Sequence, residues 1–236
     1  MRPRQTILLG LLLLVPVLAF LFLYGFGQNH YALPTYLPER ADSVRLASGG
    51  WQRDTVYHRV RLPQLLDAAG RLSDGLPGQN RGAYVVQVLT ASTVVGDDEP
   101  ATRALARLQE TFRAKSQVRL ATLVPTATKD APAQMTGQLT RLSEQFGTIA
   151  GKWSFWTAPA DTLTHLAQYE LGLTALRPEH LPFRPSTEPG KLPAGRLVLL
   201  DRDHHVRGIY DLTDRHELDR LITELNVLLY IYDHGH

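Results

Sequence analysis

The chain has 236 residues, 44% of them hydrophobic and 20% charged, and a net charge of +2. That balance suits a globular protein of about one domain and gives no support to nucleic-acid binding, because no basic stripe interleaved with aromatics accompanies it. The chain contains no cysteine, which excludes disulfides, thiol redox chemistry and thiolate metal sites without fixing a compartment, since an oxidising compartment permits disulfides but does not require them.

The first element is apolar. "MRPR" is followed by "QTILLGLLLLVPVLAFLFLYGFG", with no charge from Thr6 to Gly27. About 20 such residues cross the hydrocarbon core of a bilayer. A cleaved signal peptide would carry a shorter apolar region, roughly 7–15 residues, ending in a small-x-small site. Leu23-Tyr24-Gly25-Phe26-Gly27 fits that pattern poorly, and a lipoprotein signal would need a cysteine. The expectation is an uncleaved single-pass anchor over residues 6–27 in the inner (cytoplasmic) membrane. Arg2 and Arg4 would keep residues 1–5 in the cytoplasm, with Phe20, Phe22, Tyr24 and Phe26 near the outer interface. Pro16 is tolerable in a membrane helix. The rest of the chain would then face outward, which in a bacterium means the periplasm.

Residues 28–50 are interrupted by Pro34, Pro38, Gly49 and Gly50 and sustain no periodicity, so a linker is expected there. A domain is expected over residues 51–232 and a short tail over 233–236. Within the domain, "TVYHRVRLPQLLDAAGRLSD" alternates, as in a short strand leading to a turn. "RGAYVVQVLTA" is nearly continuous in apolar residues, as a strand covered on both faces would be. Asp97, Asp98, Glu99 and Pro100 suit a helix start, and Leu105, Leu108 and Phe112 recur at helical spacing behind them. "QVRLATLVPT" reads as the next strand. "PAQMTGQLTRLSEQFG" is a second helix, stopped near Gly147. "KWSFWTA" is a short aromatic strand. "PADTLTHLAQYELGL" is a third helix, with Asp161 as its expected N-cap. Five prolines make 176–194 a loop. "GRLVLLDRDHHVRGIYD" is two strands around a tight turn at Arg202–His205, and a last amphipathic helix starts near Thr213 or Asp214. This order predicts an α/β domain with a mixed sheet and helices on both faces, its parallel strands joined by right-handed crossovers. The closing hairpin and helix match the end of a thioredoxin-like fold.

The run "RLVLLDRDHHVRGIYDLTDRHELDRLITELNVLL", with Asp201, Arg207, Gly208, Tyr210, Asp211, Thr213 and Asp214, resembles the C-terminal end of the Sco/SenC family. "ALARLQETF", "LVPTATKDAPAQMTGQLTRLSEQFG" (with Pro125, Asp130 and Pro132) and "GKWSFWTA" resemble further segments in the same order, over roughly residues 50–230. The resemblance implies a membrane-anchored, thioredoxin-like domain of the kind that carries copper and assists assembly of cytochrome c oxidase. It also implies a Cys-x-x-x-Cys pair after the central strand and a distant histidine before the "LVLLD" strand. Aligned from the strand, the pair falls on Ser92 and Gly96; aligned from the helix, on Val94 and Asp98. The histidine falls on Pro193. Copper(I) selects soft sulfur ligands, so neither the copper site nor thiol–disulfide exchange is carried over. No cofactor and no catalytic residue is expected.

Other residues invite sharper hypotheses. His204 and His205 are neighbours in a hairpin turn, where adjacent side chains diverge. Asp233, His234 and His236 end the chain, and short His-rich tracts sometimes bind metal. These make a relocated histidine metal site the alternative function. His58 and His165 are expected to pack or face solvent. The Asp97–Glu99 run is expected to be a solvated helix start, and Ser92 lacks both a nucleophile elbow and a nearby base. Trp51, Trp153 and Trp156 are expected to pack. The chain is therefore expected to be a non-enzymatic binding or assembly factor. Its partners would be the membrane, through residues 6–27, and a respiratory-complex subunit or a cysteine-bearing paralogue, with no nucleic acid.

Overall fold

A computed structural model of the chain describes residues 14–18, 20, 33–45, 49–89, 100–126, 132–174 and 195–234. Two units are distinguished, Met1–Ala32 and Leu33–His236. In the first, residues 14–18 are helical. Among the described residues no helix is long and apolar enough to cross a membrane, and most of the expected anchor, residues 6–27, lies outside them.

The second unit is built on a seven-stranded mixed sheet. Its strands are β3 (Gln64–Asp67), β4 (Leu72–Asp74), β5 (Ala83–Val88), β6 (Val118–Thr126), β7 (Trp153–Pro159), β8 (Arg196–Leu200) and β9 (Val206–Asp211), in the order β4-β3-β7-β6-β5-β8-β9. Strands β5, β6 and β7 run parallel, while β8, β9, β3 and β4 pair antiparallel. The helices are α1 (Pro100–Thr111), α2 (Pro132–Gln145), α3 (Ala160–His165), which runs on as a π-helical turn over Leu166–Glu170, and α4 (Arg215–His234).

The central strands are apolar on both faces because each feeds two cores. Val85, Leu120, Leu197 and Leu199 point to one side, where they pack on Leu105 and Leu108 of α1, Leu139 of α2 and Leu221 and Leu225 of α4. Tyr84, Val86, Ala121, Leu123 and Val198 point to the other, onto Leu163 and Leu166 around α3. Fully burying a Leu or Val side chain is worth about 1.5–3 kcal/mol, so these two layers dominate the stability of the domain. A closed polar network crosses the first core. Gln87 donates to Thr102, Thr122 donates to the Gln87 side-chain oxygen, and Trp153 Nε1 donates to Thr122, at 3.0–3.1 Å.

Three expectations are corrected. Part of the expected linker, 28–50, is structured: β1 (Pro38–Arg45) pairs antiparallel with β2 (Trp51–Tyr57) in a separate two-stranded ribbon. Leu37 is fully buried and the Tyr36 amide bonds to the Val206 carbonyl. The ribbon is exposed along most of β1, so its sequence carries no inside–outside alternation to read. Trp51, expected to pack, is 71% exposed. Asp161 sits in the first turn of α3; the cap position belongs to Pro159, with no side-chain cap bond.

Candidate functional site

Strand β8 ends at Leu200, and the residue that follows it, Asp201, carries a carboxylate and is 7% exposed. Its Oδ1 accepts the amides of Asp203 and His205 at 2.9 Å, closing the β8–β9 turn. Its Oδ2 lies 3.6 Å from Arg207 Nη1 and 3.7 Å from His205 Nδ1. Arg207 in turn donates to the Thr35 hydroxyl and the Leu33 carbonyl, fastening the segment before β1 to this corner. His204 adopts the left-handed conformation at φ 68°. Burial, reinforced by the nearby Arg59 guanidinium, holds its imidazole below the ordinary histidine range. Asp201 acts on both histidines of the turn, but only His205 lies within 4.0 Å of its carboxylate.

The remaining residues of the C-terminal motif are consumed in packing. A Cβ on Gly208 would meet the Tyr210 hydroxyl at 2.1 Å, so glycine is what lets that ring lie across β9. The Tyr210 hydroxyl donates to Glu224, and Arg220 lies 4.5 Å over its ring. Burial, and then the bond to Glu224, push the phenol far above its usual range. Asp211 accepts the amide and hydroxyl of Thr213, and Asp214 accepts the His216 amide at the start of α4. Burial raises the Asp211 carboxyl, but the bonds from Thr213 and the charge of Arg196 outweigh it and leave the group below the ordinary aspartate range.

Of the positions expected to correspond to metal ligands, Ser92, Gly96 and Pro193, with the alternatives Val94 and Asp98, lie outside the described residues, as does His236. Their flanks are placed. The Leu89 amide bonds to the Leu123 carbonyl at the C-terminal end of β5, and α1 begins at Pro100. His234 Nδ1 donates to the Tyr230 carbonyl at 3.0 Å and its ring stacks on Tyr230, while Asp233 accepts from Gln117. Among the described residues no group of three His, Asp or Glu side chains is arranged to hold a metal.

Two arrangements lay beyond sequence reasoning. His58, expected to pack or face solvent, bridges two carboxylates, Glu39 at 2.7 Å and Glu170 at 2.9 Å, tying β1 to the π-helical turn. These partners lie 19 and 112 residues away, so no local spacing announces them. The second is an open groove of about 860 Å³ at the N-terminal ends of β6 and β7, lined by Asp67, Arg71, Tyr84, Arg119, Lys152 and Trp156 among others. Arg119 opens β6 and Lys152 immediately precedes β7. Leu89, which precedes the expected ligand loop, follows the C-terminal end of β5, whose N-terminal Ala83 lies beside Val118 at the start of β6.

Solved structures of low sequence identity share this architecture. BsSco, a member of the Sco family of cytochrome c oxidase assembly proteins, superposes with a TM-score of 0.52 at 14% identity, covering 72% of this chain and 93% of that one. An SCO1/SenC family lipoprotein from Bacillus anthracis gives 0.53 at 15%, covering 72% and 96%. No family model and no curated protein sequence matches the chain. At this identity the likeness establishes the fold alone: a thioredoxin-like α/β domain with a mixed sheet, of the architecture that these Sco proteins share.

Proposed function

We propose that this chain is a non-catalytic relative of the Sco proteins, held at the outer face of the inner membrane by residues 6–27 and acting by contact in the biogenesis of a respiratory oxidase. The observation that carries the proposal is the pairing of a Sco-type fold with a sequence that contains no cysteine. Without thiolates neither Cu(I) ligation of the Sco kind nor thiol exchange is open to it. What the fold keeps is a scaffold whose C-terminal motif residues are engaged in packing and local hydrogen bonds. Fold alone does not fix a function, so the partner is inferred from the likeness to assembly proteins and from the apolar run, which would confine the domain near membrane complexes and raise its effective concentration there.

Crosslinking in native membranes, followed by affinity recovery of this chain, tests the proposal. Recovery of oxidase subunits or of a cysteine-bearing Sco protein is the expected result. Release of the chain from membranes by alkaline carbonate would remove the anchor, and recovery of neither partner would remove the assembly role. Metal titration separates the proposal from a relocated histidine site at His204, His205, His234 or His236. A metal bound only by the native state at 100 times its dissociation constant would raise stability by roughly 2.7 kcal/mol; no shift is expected.

A further inference from the structure

The groove at the start of β6 and β7 holds two cations that no carboxylate neutralises among the described residues. Lys152 is buried, and its Nζ donates to the carbonyls of Lys115 and Val118. An ammonium carries three protons, so one is left over. Arg119 donates through Nη1 to the Pro77 carbonyl. It is seated there by Gly78, at φ +64°, where a Cβ would stand 2.3 Å from Nη1. The groove's carboxylate, Asp67, is already engaged by Arg71, at 2.9 Å from Nε and 2.8 Å from Nη2. Each positive charge on this floor therefore raises the cost of the other. Burial first, and then the charge of Arg119, hold the Lys152 amine below the ordinary lysine range. Two aromatic side chains that are nearly buried, Tyr84 and Trp156, complete the lining.

We propose that this groove is a binding site for a small organic anion, a carboxylate or phosphate carried on a flat apolar body, with Lys152 and Arg119 as the anion-binding residues. The anionic group would accept the spare Lys152 proton and the Arg119 donors not used by Pro77 and Tyr84, while the body would lie along Tyr84 and Trp156. Charge-assisted bonds of this kind are about twice as strong as neutral ones. The site stands at the N-terminal ends of β6 and β7 and does not depend on the proposed role in oxidase biogenesis.

The test is titration of the full chain with phenyl phosphate, benzoate and inorganic phosphate, followed by calorimetry and tryptophan fluorescence. Saturable one-to-one binding of phenyl phosphate or benzoate is expected, and whichever binds more tightly identifies the anionic group. Arg119→Gln and Lys152→Met should each weaken binding about tenfold or more, as loss of one charge-assisted bond implies, while Arg113→Gln should leave it unchanged. If Lys152→Met fails to fold, Arg119→Gln decides, because its half-buried side chain can be replaced without opening the core. No saturable binding of either organic anion at millimolar concentration, or affinity unchanged in Arg119→Gln, would overturn the proposal. Inorganic phosphate binding as tightly as phenyl phosphate would overturn the part assigned to Tyr84 and Trp156.

Discussion

Two charged corners of the domain are built on opposite principles. Along the β8–β9 hairpin and α4, Asp201 answers Arg207, Glu224 and Glu217 answer Arg220, and Asp211 answers Thr213 and Arg196. At the groove, Lys152 and Arg119 rest on backbone carbonyls, and among the described residues neither is paired with a carboxylate, the one in the lining, Asp67, being held by Arg71. The first corner is balanced in charge, each guanidinium facing a carboxylate, although the Nε atoms of Arg196, Arg207 and Arg220 are buried without an acceptor among the described residues. The second leaves charge over. A motif rich in Asp, Arg and Tyr can thus be wholly structural, while two cations with no motif around them mark where a ligand has something to add.

Substitutions should expose the contrast, and the largest effect belongs to the balanced corner. Asp201→Ala strands the Arg207 guanidinium and two turn amides, so a loss of about 3–5 kcal/mol is expected, read from chemical denaturation. Asp201→Asn should recover part of it by keeping the turn acceptor. Tyr210→Phe leaves Glu224 without the phenol and should cost about 1–3 kcal/mol in the same measurement. In the open corner, Lys152→Met removes a buried cation that lacks a counter-charge. Two carbonyls lose a donor, but the unfavourable charge is relieved, so the change at neutral pH should stay below about 1 kcal/mol. A loss as large as that of Asp201→Ala would make Lys152 a structural keystone and erase the distinction.

The smallest effects lie in the pH dependence, where both corners make stability rise with pH, one on the acid side and the other on the alkaline side. The folded-state pKa of Lys152 is depressed by burial and by Arg119. Through the interval between that value and the ordinary lysine pKa, the unfolded chain binds more protons, so stability rises with pH there. Lys152→Met should flatten that alkaline rise. Asp211 is also depressed, its bonds to Thr213 and the Arg196 charge outweighing burial. Its contribution is present above the ordinary aspartate pKa and is lost as pH falls through the folded value. Asp211→Asn should flatten that acid limb and leave the alkaline one intact.

The sheet and its helices were legible because the physics that forms them is local. Val85 and Val86 alternate between two cores and so leave an unbroken apolar run; Leu105, Leu108 and Phe112 keep helical spacing over one of them. The alternation at Val56, His58 and Val60 points to a strand that overlaps the end of β2, but the β3–β4 hairpin behind it has no signal of its own, because strands of four and three residues are too short to establish a period. β1 reads as linker because a strand exposed along most of its length has no buried side to alternate with. The candidate site was less legible still. The absence of cysteine is plain in the sequence, and it bears directly on the chemistry. The positions that would hold the ligands, Ser92, Gly96 and Pro193, lie outside the described residues. Arg119 and Lys152 are 33 residues apart on neighbouring parallel strands, and only the β6–β7 register, with Leu120 opposite Trp153, brings them to one groove.

The central claim is that this Sco-type domain works by contact, with no metal or electron passing through it. The copper content of the full chain isolated from its native membranes, measured against competition by a Cu(I) chelator, addresses it most directly. The account predicts no copper retained in stoichiometric amount. One tightly held Cu(I) per chain would contradict it.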